Sequence, residues 1–534
     1  MENNKNERNF TEGQQLLQTK NCNRGESHTR SKMRNNKIFK EIVSLLYWTM
    51  LAACTVGPGT VVTCARAGAE FDLNLIWALI FASILSYTLQ EGTARLTIKS
   101  GKSLGQCLQA KYKHGRLIWG VGVICWVVAV CVFLGNTFYS CNNWAGGMSA
   151  IYALPGAGNT VGLRVGACFG YGFIVIAISL ADKTDSLGVG LGVVMIAMVI
   201  LFLVVVVKLG LDGARFAKGL LPISMPAGST NIVLSLVGTT AIGFNLFLGG
   251  QMAEGKTLPQ AQRGIAFSTV MTLIVSVLIM IVGDGTELQK GLFTIANLSG
   301  TVENLTGGAG LWIFCLGFIA AALSSMLVCP LGSVMTCESV FNIYAENDEQ
   351  SAMEYKSTGE KEQDQGTKEG EQVIQIQSEG QERLFPKKYA RALMVIMVSV
   401  AVIVNAANAP PVKVILVAQV FNGCLLPFFS ICLLICLNDP QFMASAPQKG
   451  WSNCFLTTAV IITLFLTANS MIQNLFGWTT TNGHILKSTF DTIKFSFSGV
   501  IAVAIMLCLF LCTSLGKNVC KSLNCFNRVE DLRT

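Results

Sequence analysis

Long apolar runs recur from end to end of this chain, and they constrain its fold more than any other feature. Each is at least about 18 residues, enough for a helix to cross the ~30 Å hydrocarbon core of a bilayer. The chain is 51% hydrophobic and only 13% charged, whereas soluble domains carry about 25% charged residues. A transmembrane barrel would show short alternating segments, and the runs here are continuous. The sequence therefore specifies an all-α polytopic membrane protein. Twelve spans can be drawn, at 42–70, 74–97, 117–140, 163–181, 187–208, 230–252, 263–283, 309–336, 389–408, 411–437, 454–474 and 493–515.

Charge sets the expected topology. Residues 1–41 form a polar, basic tail without a secretory signal, and an even span count puts both termini on one side. With the N-terminus cytoplasmic, most of the 39 Lys and Arg fall on cytoplasmic segments, including Lys32, Arg34, Lys37 and Lys40 before span 1 and Lys99, Lys102, Lys111, Lys113 and Arg116 after span 2. That is the positive-inside pattern. The net charge of +8 then reports topology and contact with anionic lipid, and calls for no nucleic-acid partner. The sequons at Asn297 and Asn304 fall in the loop between spans 7 and 8, which this topology makes external; the one at Asn9 falls on the cytoplasmic side. Residues 345–385 read as a charge-mixed, disordered cytoplasmic loop, a linker or a partner-binding segment. The transporter-like core covers 42–440, two further spans occupy 441–515, and 516–534 is a cytoplasmic tail. Cys520 and Cys525 beside Lys517 and Lys521 suit palmitoylation. Sequons and loop together favour a plasma-membrane or endomembrane location.

The soluble segments show no nucleophile–base pair, P-loop or cofactor motif, so an enzyme is not expected and no cofactor is called for. The 19 cysteines lie mostly inside apolar runs, where they act as small hydrophobes. No CxxC or Cys/His spacing suggests zinc, and His28, His114 and His484 fall outside the spans.

Span 1 contains TVGPGTVVTCARAGAEF, from Thr55 to Phe71. Gly57, Pro58 and Gly59 interrupt its hydrogen-bond ladder, because proline lacks the donor and glycine is a poor helix former. Freed backbone groups at membrane depth are tolerated only where protein or a wet cavity satisfies them. The break is either a kink or a binding site. Span 6 repeats the pattern in LVGTTAIGFNLFLGG, residues 236–250, with Gly243 near its centre. Interruptions at matching places in two halves point to a transporter site. Spans 1–5 and 6–10 then form inverted repeats, with two appended helices. Half-helix ends can aim carbonyls at cations or N–H groups at anions. The competing reading is that such glycines serve helix packing.

Several segments, in order, resemble the natural resistance-associated macrophage protein (Nramp) family of proton-coupled divalent metal transporters. They are LQEGTARLTIKSGKSL (89–104), LGFIAAALSSM (316–326) and AQVFNGCLLPF (418–428), together with AGAEF and LIWALI in spans 1 and 2. The resemblance implies a LeuT-like inverted repeat (5+5). It also marks Gly57, Pro58, Gly59 and Thr60 as the counterparts of the family's Asp-Pro-Gly-Asn, and Ile242, Gly243, Phe244 and Asn245 as those of Met-Pro-His-Asn. The family's tenth-helix glutamine appears as Gln419. The acid, thioether and imidazole are thus replaced, and residues 117–150 contain no Asp or Glu.

Without a carboxylate to offset dehydration or a thioether to select soft metals, the implied ligands are hard neutral oxygens. They are the Gly57 and Ile242 carbonyls, the Thr60 hydroxyl, and the Asn245 and Gln419 amides, with Thr60 and Asn245 the direct metal ligands. Mg2+ keeps several waters in most sites, so Mg2+ or Mn2+ carried by alternating access with weak or no proton coupling is the expectation. Arg66 with Glu70, and Glu91 with Arg95, have the i,i+4 spacing of structural ion pairs; Glu91 is also placed to act as a gate. Glu70 and Asp72 at the outer mouth could attract cations. Asn136, Asn142, Asn143, Ser324, Ser325, Asn405 and Asn422 either line the pathway or make interhelical hydrogen bonds. The rival functions are a carrier of a small organic solute and a non-transporting sensor or scaffold.

Overall fold

The computed structural model describes Trp48 and most of residues 51–341 and 387–476. The expected tails at 1–41 and 516–534, the 345–385 loop and the span at 493–515 lie outside these residues, as do all three histidines. The chain divides into two units, Met1–Met50 and Leu51–Thr534, and the helical fold belongs to the second.

Span 1 is broken. A short helical segment ends at Thr55, Val56 and Gly57 form a bend, and helix α1 (Pro58–Phe71) follows. Pro58 sits in the first turn, where its missing N–H has no partner to lose. A tight turn at Asp72–Leu75 leads into α2 (Ile76–Ser100), which stops at left-handed Gly101. After α3 (Leu104–Tyr112), residues Leu117–Ile118 and Val121–Gly122 pair as a two-stranded hairpin, and α4 runs from Val123 to Ala153. The third span therefore begins later and ends later than the 117–140 expectation. A short apolar run beside glycines does not by itself distinguish strand from helix.

Helices α5 (Val161–Leu180), α6 (Asp185–Leu209) and α7 (Gly213–Gly219) complete the first half. Span 6 is two helices, α8 (Thr230–Thr240) and α9 (Gly243–Met252), separated at Ala241 and Ile242. Next come α10 (Leu258–Asp284), opened by a Thr257–Gln260 capping box, and α11 (Ile295–Phe341). Gly307 in α11 has φ +76, so a short helix bearing Asn297 and Asn304 precedes span 8 proper. Helices α12 (Lys387–Ala406), α13 (Pro411–Leu437), α14 (Pro440–Met443) and α15 (Gly450–Phe476) follow. Among the described residues, nine helices are long and apolar enough to cross a membrane. One of these joins α1 to α2, and α6 adds a shorter apolar segment, Ile196–Leu209.

Close approach between helices rests on glycine, as expected where lipid supplies no hydrophobic drive for association. On α1, a methyl group at Gly68 would strike the backbone oxygen of Met280 on α10; one at Gly283 would strike that of Ala65. Gly238 on α8 likewise abuts the backbone of Gln419 on α13. Helix α4 lies along α11 and α13. Phe169 and Phe173 on α5 are exposed, as a lipid-facing helix allows.

Candidate functional site

The two breaks meet. The Thr60 hydroxyl donates to the Thr55 carbonyl at 2.6 Å and lies 2.9 Å from the Thr239 hydroxyl at the end of α8. Asn245 on α9 donates from Nδ2 to Thr55 Oγ1 at 3.0 Å, and Thr55 Oγ1 donates to the Leu51 carbonyl at 2.8 Å. Five residues from the two broken spans are thus knitted into one buried network. The Gly57 carbonyl accepts the Val61 N–H at 3.1 Å, and the Ile242 carbonyl accepts the Asn245 N–H at 3.0 Å. Each carbonyl keeps one lone pair free of that bond.

One side of this junction is apolar. Ile242 and Phe244 pack with Tyr139 and Cys329 in a small buried cluster, and the Phe244 and Tyr139 rings meet edge to face at 6.0 Å. Gly243 backs against the Phe429 ring. The positions matching the family's thioether and imidazole are therefore hydrocarbon.

The other side is polar and unsatisfied. A methyl group on Gly57 would lie 2.8 Å from Ser325 Oγ and 3.3 Å from Asn143 Oδ1. One on Gly59 would overlap Gln419 Nε2 and lie 2.6 Å from Asn142 Nδ2. Asn142, Asn143, Ser325 and Gln419 are all at most 1% exposed. Yet both amide atoms of Asn142 and Gln419, Asn143 Oδ1, Ser325 Oγ and Asn245 Oδ1 have no hydrogen-bond partner in the protein. Buried polar groups are rarely left so, because an unmet donor or acceptor costs about 1–3 kcal/mol. A cluster of them at a backbone break makes this the candidate site.

Among the polar residues singled out in the spans, others behave as interhelical ties. Asn136 donates to the Cys329 carbonyl at 3.1 Å and to Ser333 Oγ at 2.8 Å. Asn405 donates to the Cys141 carbonyl at 3.3 Å, whereas Ser324 bonds within its own helix, to the Ala321 carbonyl at 3.0 Å. Sequence reading grouped these with Asn142, Asn143 and Ser325; only side-chain placement separates them. A spacing signal was available: Asn142, Asn143 and Gly146 recur at helical intervals, and Gly146 packs on Pro58.

Glu91 on α2 is buried and doubly held. Its carboxylate accepts from Arg95 Nε at 3.1 Å, from Arg95 Nη2 and from Gln262 Nε2 of α10 at 2.9 Å. At the far end of α1, Arg66 pairs with Glu70 at 2.6 Å. Both line a cavity of about 430 Å³ with Tyr152, Phe293 and Lys413. Ser149, on the same wall, lies six residues beyond Asn143 on α4. Asp72 instead joins Asp284 around Arg215, at 3.3 and 2.9 Å. Of the sequons, Asn297 is 8% exposed with its Oδ1 accepting the Thr294 N–H, whereas Asn304 is exposed. No group of three or more His, Cys, Asp or Glu able to hold a metal occurs among the described residues.

Comparisons with known proteins give the setting. The divalent metal cation transporter MntH of Pediococcus pentosaceus is 22% identical over 451 residues, 80% of this chain and 90% of that protein. MntH of Staphylococcus aureus is 22% identical over 447 residues, 79% of this chain and 89% of its own. The crystal structure of the Eremococcus coleocola manganese transporter superposes with a TM-score of 0.60 at 16% identity, covering 90% of this chain and 94% of that one. The fold is the LeuT-like inverted repeat of a multi-pass membrane protein. The family model for natural resistance-associated macrophage protein-like sequences matches residues 49–473, and the chain belongs to that family.

Proposed function

We propose that this protein carries a divalent metal cation across its membrane by alternating access, through a site of uncharged oxygens that accepts Mg2+ or Mn2+ with part of its hydration shell. The observation that carries this reading is the buried, unpartnered polar ring of Asn142, Asn143, Ser325 and Gln419 at the paired breaks. Family membership and the relatives' names supply the class of cargo. Neutral oxygens offset little of a dication's dehydration, and Mg2+ retains water readily. None of the ring residues titrates near neutral pH, so flux is coupled weakly or not at all to protons. The N-terminus is cytoplasmic, as the Lys and Arg distribution supports.

The test is uptake of a panel of divalent metals into proteoliposomes, with and without an imposed pH gradient. Saturable Mg2+ or Mn2+ uptake that the gradient does not drive is the expected result. Gradient-dependent uptake would overturn the uncoupled reading, and no uptake of any metal would overturn the cargo.

A second reading has one specific observation in its favour. Asn142 and Gln419 leave donors as well as acceptors unmet, which a small polar organic solute could satisfy on both counts. Competition between amino acids or amines and the metal separates the two.

A further inference from the structure

We propose that the cation's direct or water-bridged ligands in this chain come chiefly from spans 3, 8 and 10, through Asn142, Asn143, Ser325 and Gln419, rather than from Thr60 and Ile242 of the broken helices. This deepens the proposed function and rests on it. At the junction the Thr60 and Ile242 side chains of the broken helices are already engaged, while Asn245 Oδ1 and Thr240 Oγ1 remain unpartnered. Thr60 donates to Thr55 and meets Thr239, Asn245 Nδ2 is committed to Thr55, and Ile242 packs against Cys329 and Phe244. What the breaks contribute is room. Gly57 and Gly59 present bare Cα atoms, and the four polar side chains converge on the space their own side chains would fill.

The two amides on α4 are adjacent, at 142 and 143, and both are reached from the bend because α4 passes between α11 and α13. Asn143 is steadied by its Nδ2, which donates to Cys329 Sγ at 3.7 Å, leaving Oδ1 free beside Gly57. Ser325 stands one helical turn before Cys329 on α11, so thiol and hydroxyl share a face. Gln419 is fixed from behind by the close backbone contact with Gly238. A carboxamide can turn its oxygen toward a cation and its NH2 toward a water of the same shell, so the ring suits an ion that enters partly hydrated.

The arrangement also explains the glycine at position 57. A side chain there would crowd Ser325 Oγ, 2.8 Å from its Cβ position, and Asn143 Oδ1, 3.3 Å from it. The ring and a residue-57 ligand compete for the same space.

The test compares the full-length wild type with Asn142→Leu, Asn143→Leu and Gln419→Leu, reading Mg2+ and Mn2+ uptake and thermal midpoint with and without each ion. Replacing an unpartnered buried polar group by an apolar one of similar size is neutral or stabilising to the fold, whereas Asn136→Leu removes two made bonds and lowers the midpoint. The expected result is a loss of uptake of about tenfold or more, and loss of ion-induced stabilisation, in all three ring variants, with unchanged or raised ion-free midpoints in Asn142→Leu and Gln419→Leu and a smaller drop than that of Asn136→Leu in Asn143→Leu, which gives up its bond to Cys329. Gly57→Asp, which restores the family residue, is expected to impair uptake. Ring variants that retain uptake and ion stabilisation, or whose ion-free midpoints fall like that of Asn136→Leu, overturn this proposal alone. A wild type that neither carries nor is stabilised by either ion overturns the cation reading, and this proposal with it.

Discussion

The Thr60 and Thr239 hydroxyls lie 2.9 Å apart, joining the start of α1 to the end of α8. Thr60 spends its own proton on the Thr55 carbonyl at 2.6 Å, so Thr239 is the donor in the pair. This hydrogen bond ties the two interrupted spans together alongside that of Asn245 to Thr55, and the removal of either Thr60 or Thr239 should be felt by the other. Thr239→Val is expected to destabilise by about 1 kcal/mol. Thr60→Val loses both contacts and should exceed it. The double variant should fall short of the sum, because the second substitution removes a partner already orphaned. Thermal or denaturant unfolding of the four proteins checks the cycle; additive losses would mean the hydroxyls are not coupled.

The α1–α10 seam depends on two absent side chains. Gly68→Ala and Gly283→Ala each place a methyl group against backbone, at Met280 and Ala65. Backbone cannot swing aside as a flexible side chain does, so each substitution should destabilise by about 1–3 kcal/mol. A lowered midpoint in both variants is the expected readout.

Burial pushes the Cys107 thiol on α3 up to about 12, against small opposing effects of Ser100 and Lys102. The folded state therefore favours the neutral thiol. Its contribution to stability is present below about pH 8.5, the ordinary thiol value, and is lost as pH rises through the folded value. Maleimide labelling of Cys107 in the native protein should be slow at neutral pH and still be rising, without a plateau, at about pH 10, and should become rapid in denaturant. A native labelling rate that levels off near about pH 9, as for an ordinary thiol, would contradict this.

Lys413 is exposed on the cavity that also holds the Arg66–Glu70 pair. That leaves the cavity wall with a surplus of positive charge. Lys413→Glu should raise the initial rate of cation uptake severalfold at low ionic strength and little at high salt, as expected for steering of a charged ligand. An equal effect at all salt concentrations would point to a different cause.

Much of this fold was legible in the sequence, and the reasons are physical. Apolar run length locates a spanning helix, and the Gly57–Gly59 and Gly243 interruptions located both breaks to within two residues. The structure places them at Val56–Gly57 and Ala241–Ile242. The start of span 3 was not legible, because residues 117–122 are apolar whether they form a strand or a helix. Nor was the contrast between Asn136 and Asn142. Both are asparagines on one helix, and whether an amide is satisfied depends on what the neighbouring helices bring to it. The sequence showed which ligands had been lost from the broken helices, but not that amides from spans 3 and 10 stand beside the vacated positions.

The most direct test of the central claim is to locate Mn2+ by its anomalous scattering in crystals of the full-length protein. The account predicts a peak beside the Gly57–Gly59 turn, between Asn142, Asn143 and Gln419, about 2–5 Å from their amide oxygens according to whether a water intervenes. A peak beside Glu70 in the outer cavity, or none near the turn, would contradict it.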